Sequence, residues 1–288
     1  MKGMVACAVL AEIERRSGKR IPELFDLIGG TSVGGIVALS LCAGNSAEDT
    51  LGFFTADGPN IFADKVTNSA PLHELEGKGF YRYDPAPIEA CLRIRMKGLA
   101  MKQASTNVII PAFDRVSRQC VFFKSFDFET NDCLMWQVGR ATSAAQTYFP
   151  PYRMDGWSFF DGGTSANNPS VCVHAQAVGK NGLWPGEACR MLFLGCGDVE
   201  PDASVSDTPG PVALLHESVD GMLASTDGVP DYQARQYMGS DLTAIQPKGP
   251  MPALNGAQPE DLTLLASAMA ATIAEYPDEI GLFCQKPA

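Results

Sequence analysis

The apolar positions of this chain change period from block to block. Near the start, Val5, Val9 and Ile13 recur at helical spacing, charged residues follow from Ala11 to Arg20, and Gly18 closes the pattern. Lys2 before a short apolar stretch containing Cys7 resembles a leader only superficially, because its positive start is a single lysine. A structural helix is expected there. The run Leu24-Phe25-Asp26-Leu27-Ile28-Gly29 predicts a strand, and the apolar stretch from Ile36 to Cys42 predicts a helix directly after it. Two short β-rich runs, 108–113 and 120–123, flank a turn that begins at Asp114. Met191-Leu192-Phe193-Leu194 reads as a buried strand ended by Gly195-Cys196-Gly197, residues 200–211 as a loop rich in Pro, Asp and Ser, and Leu262, Leu265, Met269 and Ile273 as one face of a closing helix.

Strands alternating with helices over 288 residues, 45% of them apolar, predict an α/β protein with one sizeable core and a single domain over 1–288. Residues 51–102 carry most of the irregularity, with Phe53, Phe54, Ile61, Phe62, Leu72, Phe80, Tyr81 and Tyr83 set among Gly- and Pro-rich turns. Those aromatics read either as pocket lining or as core.

Between the first strand and its helix stands Gly30-Thr31-Ser32-Val33-Gly34. A nucleophile on a tight strand-to-helix elbow holds strained backbone angles, and flanking glycines let neighbouring segments approach without Cβ clashes. The Ser32 hydroxyl is then exposed at the head of a helix, whose free amides include Val33 N–H, a donor for charge developing on an attacked carbonyl. Glycine-rich turns of this kind are common. A phosphate-binding loop is the main competitor, and it lacks here the Lys-Ser/Thr expected after Gly34-Gly35.

A serine nucleophile needs a base. The three histidines, His73, His174 and His216, lie in a loop-like stretch and two helical ones, and none carries a catalytic signature. Asp161 in Phe159-Phe160-Asp161-Gly162-Gly163 sits at a strand end with glycines that permit a sharp turn, so it could meet the serine directly. The same residues also fit an ordinary hairpin turn.

Taken in order, these segments resemble the patatin-like phospholipases, serine acyl hydrolases that use a Ser-Asp dyad. The resemblance runs over most of the chain: Ala11 to Ile21, the elbow from Leu24 to Ser32, Trp136 to Phe149, Asp161-Gly162-Gly163, Ala166-Asn167-Asn168-Pro169, the strand ending at Cys196 and the helix from about Glu260. It implies a three-layer sandwich with a central, mostly parallel sheet and helices on both faces. It implies Ser32 as nucleophile and Asp161 as base, with Gly30, Thr31, Gly34, Gly162 and Gly163 as motif residues, no metal and no cofactor. A cap over an acyl pocket is implied for residues 51–102.

The family opens with a strand and a loop, Gly-Gly-Gly-x-Arg/Lys-Gly, whose amides complete the oxyanion hole. This chain begins Met1-Lys2-Gly3, matching only the last three positions, so Lys2 and Gly3 join Val33 as candidate donors. The expectation is a sheet with an open edge or gap, and a start placed too late, a shortened chain, or a degraded or repurposed family member. The intact serine and aspartate motifs favour the first two. Gln146 and Cys196 replace residues common in relatives, proline and threonine, and are expected to lie outside the proton-transfer chemistry.

The formal net charge of −11 argues against nucleic acid and against general attraction to anionic lipid surfaces, though not against lipid as substrate or a passing contact with a membrane surface. Local basic clusters at Arg15, Arg16, Lys19 and Arg20, and at Arg93, Arg95, Lys97 and Lys102, read as solvated faces. Nine scattered cysteines without a Cys-x-x-Cys pair, and no run of about 18 apolar residues, predict a reducing, cytoplasmic setting without zinc or a transmembrane helix. The expected activity is lipid acyl ester hydrolysis of the phospholipase A or lysophospholipase type. The alternatives are a binding or regulatory protein of the same fold and an acyltransferase.

Overall fold

In the computed structural model, residues 1–63, 81–197, 208, 210–253 and 255–285 are described. Helix α1 (Gly3–Ser17) ends as its spacing predicts, at Gly18 in the left-handed region (φ 68°), whose N–H caps Glu14 O. Its apolar face, including Val5, Val9 and Ile13, is buried. Pro22 then starts a short helix, α2 (Ile21–Leu24), so the strand that follows, β1 (Leu27–Gly29), is shorter than the apolar run suggested. Proline at a helix's first turn forfeits no intrahelical bond, which favours this division.

Helix α3 (Val33–Cys42) is buried at every position from Gly35 to Cys42, as a sequence apolar but for Ser40, whose hydroxyl pairs with that of Thr50, requires. After it come α4 (Ala47–Gly52), a π-helical turn (Phe53–Asp57) and α5 (Gly58–Ile61). Helix α6 (Ala86–Met96) leads into β2 (Asn107–Asp114) and β3 (Gln119–Lys124), the predicted antiparallel pair. The Asp114 carboxylate accepts from Val116 N–H, Ser117 N–H and Ser117 Oγ and so organises the turn between them. Then follow α7 (Met135–Thr142), the hairpin β4 (Tyr152–Met154) and β5 (Trp157–Phe160), α8 (Gly163–Ala166), α9 (Ser170–Val178), β6 (Met191–Leu194), α10 (Pro211–Met238), β7 (Leu242–Ile245), α11 (Pro259–Glu275) and α12 (Pro277–Gly281). Most of the predicted 200–211 loop, with His73, Leu72 and Phe80, lies outside the described residues.

The fold is α/β with a central sheet and helices on both faces. Gly35 of α3 lies against Ile110 on one face, and Gly29 lies against Val173 of α9 on the other. The strand directions correct one expectation. The sheet is mixed rather than mostly parallel: β1–β2 and β6–β7 are parallel, while β2–β3, β2–β5 and β4–β5 are antiparallel. The tight β2–β3 and β4–β5 turns cannot connect parallel neighbours, which need a long crossover. Strands β6 and β7 form a separate two-stranded ladder, and among the described residues β1 pairs on one side only.

The register of β2 creates a break. Gly29 of β1 stands opposite Ile109, and Phe160 of β5 stands opposite Phe113. Strand β3 pairs with β2 through both positions, so β1 and β5 share the other edge and approach each other end to end. Between them that edge of β2, from Ile110 to Ala112, has no strand partner among the described residues. Its central residue is Pro111, which has no N–H to leave unpaired.

Candidate active site

Ser32 follows the end of β1 and Asp161 the end of β5, so the break in the sheet brings together two residues 129 positions apart. Ser32 Oγ donates to Asp161 Oδ2 at 2.7 Å. Asp161 Oδ1 accepts from Gly163 N–H, also at 2.7 Å, which fixes the carboxylate plane.

Ser32 holds φ 54° and ψ −121°, a backbone conformation that side-chain-bearing residues rarely adopt. The strain comes from a chain that must reverse within three residues, Gly30 to Ser32, between β1 and α3. Gly30 makes this reversal feasible: a Cβ there would lie 2.2 Å from Gly34 O. Thr31 ties the elbow to α8, its hydroxyl donating to Ala166 O at 2.6 Å. Gly34, by contrast, has nothing within 4 Å of where its Cβ would be. The steric role expected there belongs to Gly35, whose Cβ would stand 2.8 Å from Thr142 Cγ2.

The Asp161 turn is equally confined. A Cβ on Gly162 would approach Pro111 O to 2.3 Å, and one on Gly163 would come within 2.8 Å of Leu223 of α10. Asp161 N–H and Gly162 N–H donate to Ala144 O and Thr142 O, both at 3.0 Å.

Asp161 is only 4% exposed. Burial pushes its carboxyl up to about 6, against the opposing pull of the Gly163 and Ser32 hydrogen bonds and the Arg140 guanidinium. Arg140 is itself buried and lies 3.4 Å from Glu89. It donates to Pro150 O and sits over the rings of Phe149 and Tyr152. Burial lowers its own pKa.

Val33 is the first residue of α3, so its N–H belongs to the turn without intrahelical partners. Gly3 packs on the same residue: a Cβ on Gly3 would meet Val33 Cγ1 at 2.3 Å. Lys2, which caps α1, immediately precedes it. Gly3 therefore packs against Val33, the residue next to Ser32.

An apolar cavity, part of it open to solvent, is lined by Ser32, Val33, Ile36, Phe53, Phe54, Ile61 and Phe149. Phe53, Phe54, Ile61 and Phe62 line it, whereas Tyr83 is a buried core residue packed on Phe62, Tyr148 and Phe149. Of that stretch, Phe53, Phe54, Ile61 and Phe62 thus fit the lining reading and Tyr83 the core reading.

Sequence reasoning gave no role to Thr142, Arg140 or Gln146. Gln146 Nε2 donates to Thr164 Oγ1 at 2.7 Å, linking the loop that lines the cavity to the segment after Asp161. Thr142 and Arg140 lie in a stretch whose composition was evident, but no spacing rule ties either to Ser32. His174 is on α9, and its side chain bonds to neither Ser32 nor Asp161. The basic clusters are largely spent on intramolecular contacts: Arg15 and Arg16 on Glu12, Arg95 on Asp57, Lys102 on Asp132, and Arg93 over the Trp136 ring. All nine cysteines are free thiols. Among the described residues no cluster of His, Cys, Asp and Glu could hold a metal, and no helix is long and apolar enough to cross a membrane.

A family model described as patatin-like phospholipase matches residues 1–170. A cGAMP-activated phospholipase of Pseudomonas aeruginosa is 34% identical over 259 residues, covering 86% of this chain and 75% of that protein. One of Escherichia coli is 34% identical over 183 residues, covering 59% and 51%. Patatin-like protein 2 of Oryza sativa subsp. indica is 28% identical over 205 residues, covering 61% and 50%. The chain thus spans about half the length of the latter two relatives.

Proposed function

The chain belongs to the patatin-like phospholipase family, and from that premise we propose that it is a serine acyl hydrolase that cleaves fatty acyl esters of phospholipids or lysolipids through Ser32 and Asp161. The observation that carries the proposal is the 2.7 Å hydrogen bond to the buried Asp161 carboxylate from the Oγ of Ser32, a residue that lines an apolar cavity. The cavity suits an acyl chain, and the carboxylate, raised by burial, suits a base working near neutral pH.

In the proposed cycle, Asp161 takes the Ser32 proton as the oxygen attacks the ester carbonyl. Val33 N–H, together with the backbone amides of Lys2 and Gly3, stabilises the oxyanion that forms. Collapse of the tetrahedral intermediate expels the alcohol, which receives the proton from Asp161 and leaves the acyl group on Ser32. Asp161, ionised again, then activates water against the acyl-enzyme, and the fatty acid departs. The positive φ of Ser32 keeps its Oγ clear of the helix and turned toward both the base and the cavity.

The test is labelling by a fluorophosphonate, together with p-nitrophenyl ester and phospholipid vesicle hydrolysis, in the wild type, Ser32→Ala and Asp161→Asn. Labelling and turnover that vanish in Ser32→Ala and fall at least about a hundred-fold in Asp161→Asn support the reading. A folded wild type that neither labels nor turns over any of these esters overturns it in favour of a binding protein of the same fold.

A further inference from the structure

The break in the sheet is filled by the C-terminal end of α7, and one residue there touches both halves of the site. Thr142 is fully buried, and its hydroxyl is used twice. It accepts the Ser32 backbone N–H at 2.9 Å and donates to Pro111 O at 2.7 Å. Its carbonyl accepts Gly162 N–H at 3.0 Å, and its methyl lies against Gly35. The nucleophile's amide, the turn after the base and the unpaired edge of β2 therefore all end on a single side chain and its own backbone.

We propose that Thr142 is the positioning residue for the Ser32–Asp161 pair, its hydroxyl holding the strained elbow at the angle from which Ser32 Oγ reaches the carboxylate; for its bearing on catalysis this rests on the acyl hydrolase reading above. The strain at Ser32 makes a brace necessary. A residue at φ 54° and ψ −121° relaxes toward an ordinary backbone region unless its peptide is tied down. The Ser32 N–H cannot be satisfied within α3, because it precedes the helix's first turn, nor by the sheet, because β1 has ended. Thr142 Oγ1 is its acceptor. Pro111 O, pointing into the break where no strand follows, has the same hydroxyl as its donor and so orients the lone pair that Ser32 needs. Serine at 142 would keep both bonds, whereas valine would keep the volume and lose them. Loss of either bond would leave a buried backbone group unsatisfied.

The experiment compares wild type, Thr142→Ser, Thr142→Val and Ser32→Ala by three readouts: steady-state hydrolysis of a soluble short-chain p-nitrophenyl ester, thermal unfolding, and amide hydrogen exchange at Ser32 and Gly162. Thr142→Val is expected to lower kcat about ten- to a hundred-fold with KM changed less than about twofold, because misplacing a reacting group slows the chemical step without weakening binding. Thr142→Ser should stay within about threefold of wild type in kcat. Ser32 N–H should lose protection in Thr142→Val and keep it in Thr142→Ser, while Gly162 N–H, bonded to the Thr142 carbonyl, stays protected in both. The proposal is overturned if Thr142→Val turns over normally, if serine fails to rescue, or if protection at Ser32 is unchanged. Should the wild type show no Ser32-dependent turnover, the hydrolase reading fails by itself. The exchange comparison still decides whether the Thr142 hydroxyl holds the elbow.

Discussion

Gly29 and Phe160 stand opposite Ile109 and Phe113 on the same edge of β2, one strand ending where the other ends, and Pro111 lies between them. The hydrogen bond from Ser32 to Asp161 follows from this meeting of strand ends. A continuous strand along that edge would have paired Ile110 to Ala112 and left no room for an elbow. The break gives two loops a common floor in Pro111 and a common brace in α7.

If Asp161 is the base, activity follows its ionisation. Burial raises the carboxyl to about 6, and only the ionised form can accept the Ser32 proton. We expect kcat/KM for a soluble ester to rise with pH through an acid limb near 6 and then level off. A limb near the ordinary carboxylate value would mean that Asp161 is more solvated than the structure has it.

The same shift sets a stability prediction of opposite direction. A carboxyl whose folded pKa lies above its unfolded value of 3.8 binds protons more readily when folded, so its ionisation costs stability as pH rises from about 4 to about 6. Asp161→Asn removes that cost while its amide oxygen can still accept from Gly163. The variant should unfold at a higher temperature than wild type at pH 8, and the gap should narrow as pH is lowered to 4.5. Melting curves at both pH values check this. An Asp161→Asn protein less stable than wild type at pH 8 would show that the ionised carboxylate's hydrogen bonds outweigh its desolvation.

The glycines of the elbow are not equivalent. Gly30→Ala places a Cβ 2.2 Å from a backbone oxygen and should cost about 1 to 3 kcal/mol and abolish probe labelling, since the elbow itself must move. Gly34→Ala meets nothing and should change stability by less than about 1 kcal/mol, with labelling retained. Denaturant melts and labelling rates on the two variants give the comparison. Equal damage at both positions would refute the steric account.

Local pattern determined a good deal. The 3.6-residue period and Gly18 define α1, the apolar spacing of Leu262 to Ile273 defines α11, and the β-rich runs around Asp114 define β2 and β3, because each depends on which side chains must leave water along a few residues. The elbow at Ser32 and the turn at Asp161 are legible for a related reason: a sharp strand-to-helix turn and an acid before two glycines make local backbone demands. What local pattern could not supply was anything that joins distant segments. The apolar content of β5 says nothing about which end of β2 it meets, so the antiparallel β2–β5 pairing has no local signal, and the mostly parallel sheet that the resemblance implied does not hold. The steric burden assigned to Gly34 belongs to Gly35, because only the packed α7 shows where Thr142 stands. Thr142 itself looked like any small polar residue near a helix end. Hydrogen-bond partners 110 residues apart, as Ser32 and Thr142 are, leave no periodic trace in the chain, and only tertiary packing puts that hydroxyl under the strained amide.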